Sequence, residues 1–232
     1  MRAAEYERER RHLLGEIADE MRLCAHATGR DTLSPRVIAA LERVPRQRFV
    51  PPGLQPSAYE NRPLSIGLGQ TISQPFIVAL MTDLLDLAPD DVVLEIGTGS
   101  GYQAAVLAQL ARQVYSVETL PELARSARAH LEELGYRNVA VRIGDGHQGW
   151  PEHAPYDAII VTAAARDVPP ALLAQLKPGG RMMIPVGERY ATQDLVLITK
   201  DASGEIQRRG ILPVAFVPLV AADTAADPAQ PH

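Results

Sequence analysis

The run Glu95-Ile96-Gly97-Thr98-Gly99-Ser100-Gly101-Tyr102 sets glycines at alternate positions directly after the apolar segment VVLEI. A glycine-rich turn between a strand and its following helix lets a ligand approach the backbone at the carboxyl edge of a sheet. The spacing discriminates between ligands. A dinucleotide fingerprint, G-x-G-x-x-G, requires its third glycine at position 102, where this chain carries Tyr102. The pattern is instead E-x-G-x-G-x-G, with an acid two residues before the first glycine. That acid opposes a diphosphate and suits a ligand that carries an amino group and a positive sulfonium. Glu118 ends the next apolar segment, QVYSVE, where a carboxylate can accept both hydroxyls of a ribose. Asp145-Gly146 follows the third segment, where a carboxylate can accept an adenine amino group. Taken singly, each acid reads as a solvated residue or a helix cap, and the glycines as a tight turn without a ligand. Three acids at the ends of three successive strands, beside one glycine loop, describe a site for S-adenosylmethionine.

Such a site needs parallel strands that bring their carboxyl ends together. Strands are expected at 92–96, 113–118, 139–144, 157–162 and 181–186, with helices at 101–111, 121–135 and 169–176. Uniformly apolar strands alternating with helices form a parallel sheet covered on both faces. DLVLITK, a DASG turn and EIQRRGILPVAFVPLV then read as an antiparallel pair. Upstream, residues 5–28 read as a charged helix with Leu13, Leu14, Ile17 and Met21 on one face. Ser34 caps and Pro35 opens a second helix, and Gln74-Pro75 starts a third that runs through Leu87. Residues 45–70, rich in Pro, Gly and Gln, read as an irregular loop. The expected fold is α/β: a doubly wound, Rossmann-like sheet of mainly parallel strands, about seven in number, with an antiparallel pair near the C-terminus and helices before it. Residues 1–220 are expected to form a single domain with 1–30 as a helical extension, and 221–232 to be a disordered tail.

Composition narrows the function classes. A chain of 232 residues with 46% hydrophobic residues can bury one full-sized core. The net charge of −5 is spread without basic blocks, which argues against a nucleic-acid partner. No run approaches the length of a membrane span. The N-terminus MRAAEYERERRHLL is charged and lacks the apolar core of a secretory signal. The one cysteine, Cys24, fits a reducing compartment, so cytoplasm is expected. The histidines lack metal-ligand spacing, and no metal is expected. Trp150 reads as packing at the rim of the site, and the arginines of the first helix as a solvated face or a cover for the cofactor.

The chain resembles the bacterial-type protein-L-isoaspartate O-methyltransferases. The residues that carry the resemblance are RFVPP, AYEN, GQTISQP, VLEIGTGSGYQAAVLA, GDGHQGW, YDAIIVTAA, LKPGGRMMIPVG and FVPLV, in the family's order across residues 35–220. It implies methyl transfer from S-adenosylmethionine to the free α-carboxylate of isoaspartyl residues in damaged proteins and peptides. A monomer is the expected state.

Within GLGQTISQP, Ser73 has no acid, base or metal ligand to activate it. The resemblance implies that Ser73 is the active-site serine and needs no activation. A carboxylate with a reference pKa of about 4 is already ionised at neutral pH. Ser73 would orient it with one hydrogen bond. The residues alone also allow a second role, a cap on the helix that Pro75 opens. The resemblance further places Ile66, Gly67, Leu68 and Gly69 against the cofactor; Thr71 reads as a further cofactor contact or as a residue that simply holds the loop. With them go Glu95, Gly97, Thr98, Gly99 and Gly101 of the glycine loop, then Glu118, Thr119, Asp145 and Gly146. It assigns the backbone near Val217 and Pro218, together with Ser73, to the substrate peptide. Some relatives outside the bacterial branch carry a histidine where this chain has Val78.

Overall fold

The computed structural model describes residues 2–188 and 191–220. Helix α1 (Arg2–Leu23) turns its apolar stripe inward, burying Leu13, Ile17 and Met21. The expected single helix to residue 28 breaks at Cys24, and a short α2 (Ala25–Thr28) ends at Gly29 in the left-handed conformation. Helix α3 (Pro35–Arg43) is capped by Ser34, whose Oγ accepts the Val37 N–H at 3.3 Å. Helix α4 (Pro75–Leu84) is buried along its whole length. The carboxylate of Asp83 on α4 gathers the upstream segment: Arg30 Nη1 donates to it at 2.6 Å and the Ser34 N–H at 2.7 Å.

Residues 45–70 are ordered rather than irregular. They form 3-10 turns at Arg46–Phe49 and Pro52–Ser57, then a hairpin of β1 (Leu64–Gly67) and β2 (Gln70–Ile72). The hairpin turns through three positive φ values, 91° at Gly67, 54° at Leu68 and 70° at Gly69. Strands this short carry too few alternations for periodicity to reveal.

The main sheet follows the expected plan. Strands β3 (Val92–Ile96), β4 (Gln113–Glu118), β5 (Val139–Ile143) and β6 (Tyr156–Val161) are parallel, as is β7 (Leu176–Val186). Strands β8 (Gln193–Lys200) and β9 (Ile206–Val214) run antiparallel. The strand order is β5-β4-β3-β6-β7-β8-β9. Helices α5 (Tyr102–Ala108), α6 (Pro121–Glu133) and α7 (Pro170–Gln175) make the crossovers. β7 begins five residues before the expected strand, because Leu176 pairs with Tyr156 before a register irregularity. Residues 215–220 leave the sheet and are tied to the segment after β6 by a bridge between Ala164 and Pro218. The tail at 221–232 lies outside the described residues. Among those described, no helix is long and apolar enough to cross a membrane.

The chain fills the β4 side of β3 first and then places β6 on the other side. The switch point of the sheet therefore lies at β3 and β6, where crevices open beyond the carboxyl ends of such strands. Register brings the ends level: Ile96 pairs with Val117 on one side and with Val161 on the other.

Candidate active site

Beyond β3 the backbone enters the glycine loop through Gly97 at φ 93°. A Cβ at that position would stand 2.5 Å from the Thr162 Oγ1 beyond β6. Only glycine satisfies both the conformation and the approach. Thr162 in turn donates to the Gly97 carbonyl at 2.6 Å, so the loop is tied across the switch point. A cleft opens over this loop, lined by Gly97, Thr98 and Gly99, by Glu118 and Thr119, and on its far side by Thr71, Ser73, Val217 and Pro218.

The three acids occupy different places. Glu118 lines the cleft. Its Oε2 accepts the Gly99 N–H at 2.8 Å and its Oε1 the Leu120 N–H at 3.0 Å, so the carboxylate braces the loop it faces. Glu95 is fully buried and sits beneath the loop, away from the cleft lining. It accepts the Ser116 hydroxyl, and Ser116 Oγ lies 2.6 Å from Thr98 Oγ1. Burial pushes the Glu95 carboxyl up to about 8, and the Glu118 charge adds to the rise. The Ser116 hydroxyl and the Ala104 N–H at the start of α5 act in the opposite sense. Asp145 also lies outside the cleft lining; its Oδ1 accepts the His147 N–H at 2.9 Å and caps the turn at Gly146–Gln148. Gly146 packs under the floor, where a Cβ would come within 2.5 Å of Ile96 Cγ2.

Ser73 stands where two cavities meet. With Thr71, Thr162 and Val217 it lines both the glycine-loop cleft and a second groove that continues past Pro63, Ile77 and Phe216. It is not the cap of α4. The N-cap position is Gln74, and no side chain caps that helix. The Ser73 carbonyl accepts Arg46 Nη2 at 2.8 Å.

The family model described as Protein-L-isoaspartate(D-aspartate) O-methyltransferase (PCMT) matches residues 21–224. The chain belongs to this family. A protein-L-isoaspartate O-methyltransferase 1 of Cupriavidus necator is 58% identical over 212 residues, covering 91% of this chain and 82% of that protein. A protein-L-isoaspartate O-methyltransferase 2 of Polaromonas sp. is 57% identical over 207 residues, covering 89% of this chain and 98% of its own. A solved protein-L-isoaspartate O-methyltransferase superposes with a TM-score of 0.75 at 30% identity, over 88% of this chain and 66% of that one. A Plasmodium falciparum structure bearing the same enzyme name, solved with S-adenosyl-L-homocysteine, has a TM-score of 0.71 at 26% identity, over 81% and 91%.

The protein-L-isoaspartate O-methyltransferases use S-adenosylmethionine, and the cleft fits it. Among the described residues lining the cleft, Glu118 is the only charged one, so a cationic ligand meets an anion and no competing cation. The glycine loop gives the backbone access that such a ligand needs. Other members of the expected set lie further out. Ile66 borders a neighbouring groove with Gly99 and Ser100, while Gly67, Leu68 and Gly69 form the exposed hairpin tip, outside the cleft lining. Gly101 packs against Leu131 of α6 behind the loop. The Val217 carbonyl is already taken by the Ala164 N–H at 2.8 Å, which pins this stretch beside the cleft. Val78 lines the cleft as an apolar wall.

Two further readings are resolved. Trp150 packs edge-on to Tyr115 at 5.3 Å, with the Arg142 guanidinium over its ring, and does not line the cleft. Of the two readings for the α1 arginines, the solvated face fits Arg8 and Arg11, which are exposed, while Arg10 donates to the Tyr59 hydroxyl at 2.9 Å. Sequence reasoning missed Thr162 and Gln70, which also line the cleft. The signal for Thr162 was a hydroxyl at the end of DAIIVT, one strand away from Gly97. The signal for Gln70 was its place inside the GQTISQP motif, between Gly69 and Thr71.

Proposed function

We infer that the protein methylates the free α-carboxylate of L-isoaspartyl residues in damaged proteins and peptides, using S-adenosylmethionine. When bound, that cofactor supplies a methyl group made electrophilic by its sulfonium. Glu118 and the backbone of Gly97 to Gly99 would hold it in the cleft, and the groove past Phe216 would take the peptide. The observation that carries the reading is the position of Ser73 on the shared edge of the two cavities.

Among the described residues no histidine or lysine lines either cavity, and the reaction needs no general base, since the substrate carboxylate is ionised with a pKa of about 4. Ser73 donates one hydrogen bond that fixes the direction of the attacking oxygen, with Thr71 beside it. Rate then comes from placement, whose contribution in well-oriented reactions reaches several kcal/mol. The reading includes residues 1–220 as one unit, supported by a core that joins Leu13 of α1 to Val214 of β9. It also includes a monomer acting in the cytoplasm without nucleic acid, supported by the single cysteine and the net charge of −5.

The test is transfer of labelled methyl from S-adenosylmethionine to an isoaspartyl peptide beside its normal aspartyl twin. Label is expected on the isoaspartyl peptide alone. Equal labelling of both, or none, overturns the reading.

A further inference from the structure

Arg46 is a fully buried arginine. Its Nε donates to the Ala58 carbonyl at 2.9 Å and its Nη2 to the Ser73 carbonyl at 2.8 Å. Its guanidinium carbon lies 4.8 Å from the centroid of the Tyr102 ring. Among the described residues no acid pairs with it, and its Nη1 is buried with no hydrogen-bond partner. Burial pulls it down to about 10, which leaves it cationic at neutral pH.

A buried cation is costly unless an anion answers it, and two carbonyls with a ring face answer only in part. Arg46 lines neither cavity itself, but two of its neighbours do. Ser73 lies on the edge shared by both cavities, and Tyr102 is the first residue of α5 after the glycine loop. Arg46 therefore joins the substrate side of the site to the cofactor side. Neither cavity is lined by a lysine or arginine among the described residues, although the proposed substrate is a carboxylate. A cation in direct contact would hold that carboxylate and blunt its attack. A cation behind the serine favours the anion while leaving its oxygen free.

We infer that Arg46 is a positioning residue for methyl transfer, fixing the Ser73 main chain against Tyr102 and favouring the substrate carboxylate with its unpaired charge. This rests on the isoaspartyl reading above.

The test compares wild type, Arg46→Lys and Arg46→Met for kcat and KM with an isoaspartyl peptide, calorimetric affinity for S-adenosylmethionine, and melting temperature. Lysine keeps the charge but cannot hold both carbonyls in a planar fork. Arg46→Lys is expected to lose about tenfold in kcat with KM within about threefold of wild type. Arg46→Met is expected to lose kcat similarly and also to raise KM about tenfold. Cofactor affinity should stay within about threefold in both. A folded Arg46→Lys with wild-type kcat, a folded Arg46→Met with wild-type KM, or losses confined to melting temperature would overturn the inference. A second measurement uses the wild type saturated with S-adenosylhomocysteine. The Arg46 side-chain nitrogen resonances should move on adding the isoaspartyl peptide and stay fixed with the aspartyl twin. Fixed resonances with both overturn the inference even if neither variant folds. A wild type that fails to methylate the peptide would instead defeat the functional reading itself.

Discussion

Glu118 Oε2 accepts the N–H of Gly99 at 2.8 Å, joining the end of β4 to the glycine loop beyond β3. The acid that faces the cleft is thus also a strut of the loop. Glu118→Ala is expected to weaken S-adenosylmethionine binding by roughly 1–3 kcal/mol, the usual loss for charge-assisted hydrogen bonds. Asp145→Ala should lose less, because that carboxylate is engaged with His147 outside the cleft lining. Calorimetric titration of both variants decides; a larger loss at Asp145 would mean that it reaches the cofactor.

Ser73 lines the cleft without capping α4. Ser73→Ala should therefore lower turnover by ten- to hundredfold, about 1.5–3 kcal/mol for one hydrogen bond to a charged group. Its melting temperature should hold, since no cap is lost. Ser73→Thr keeps the hydroxyl and should recover part of the rate. A Ser73→Ala variant with full rate and a lowered melting temperature would return this residue to a structural role.

Gly97 meets two constraints, a φ of 93° and a Cβ position 2.5 Å from Thr162 Oγ1. Gly97→Ala should abolish measurable cofactor binding. Adding Thr162→Ala removes the clash but leaves the left-handed strain, which costs roughly 1–2 kcal/mol. The double variant is expected to recover only part of the affinity in the same titration. Full recovery would show that the backbone at 97 relaxes freely.

The buried Glu95 carboxyl, pushed up to about 8, keeps its proton where an unfolded glutamate has lost it. Between about pH 4.3 and pH 8 the folded state thus holds more protons at this site, and its stability falls as pH rises. The contribution is fully present below the unfolded value and lost once pH passes the folded one. Glu95→Gln, which cannot ionise, removes this slope. Urea unfolding at about pH 5, 7 and 9 should show the stability difference, variant minus wild type, growing toward pH 8 and then levelling. A difference independent of pH would mean that Glu95 is ionised in the folded protein.

The central strands were legible because each is a short apolar run fully covered by helices, a signal contained within its own residues. β3 lies at its expected residues and β4 as well, and the glycine loop follows directly. The excluded dinucleotide reading rested on Tyr102, and that residue proves to be the ring beneath Arg46. The hairpin Leu64–Ile72 falls mostly within the loop expected at 45–70, since β2 has only three residues and is held by pairing rather than propensity.

Residue types and spacing determined the parallel sheet and the glycine loop, because strand patterning and glycine conformation are local properties of the chain; Ser73 stood out only through the family resemblance of GQTISQP. Only the tertiary structure decided which polar groups face the cleft. Glu95 and Glu118 both lie at the ends of apolar strands, yet the first is sealed under the loop and the second lines the site. Arg46 sits among the polar residues of PRQRF and is nonetheless enclosed completely. Burial of a charge depends on partners far along the chain, here Ala58, Ser73 and Tyr102, and no local pattern encodes where those partners meet.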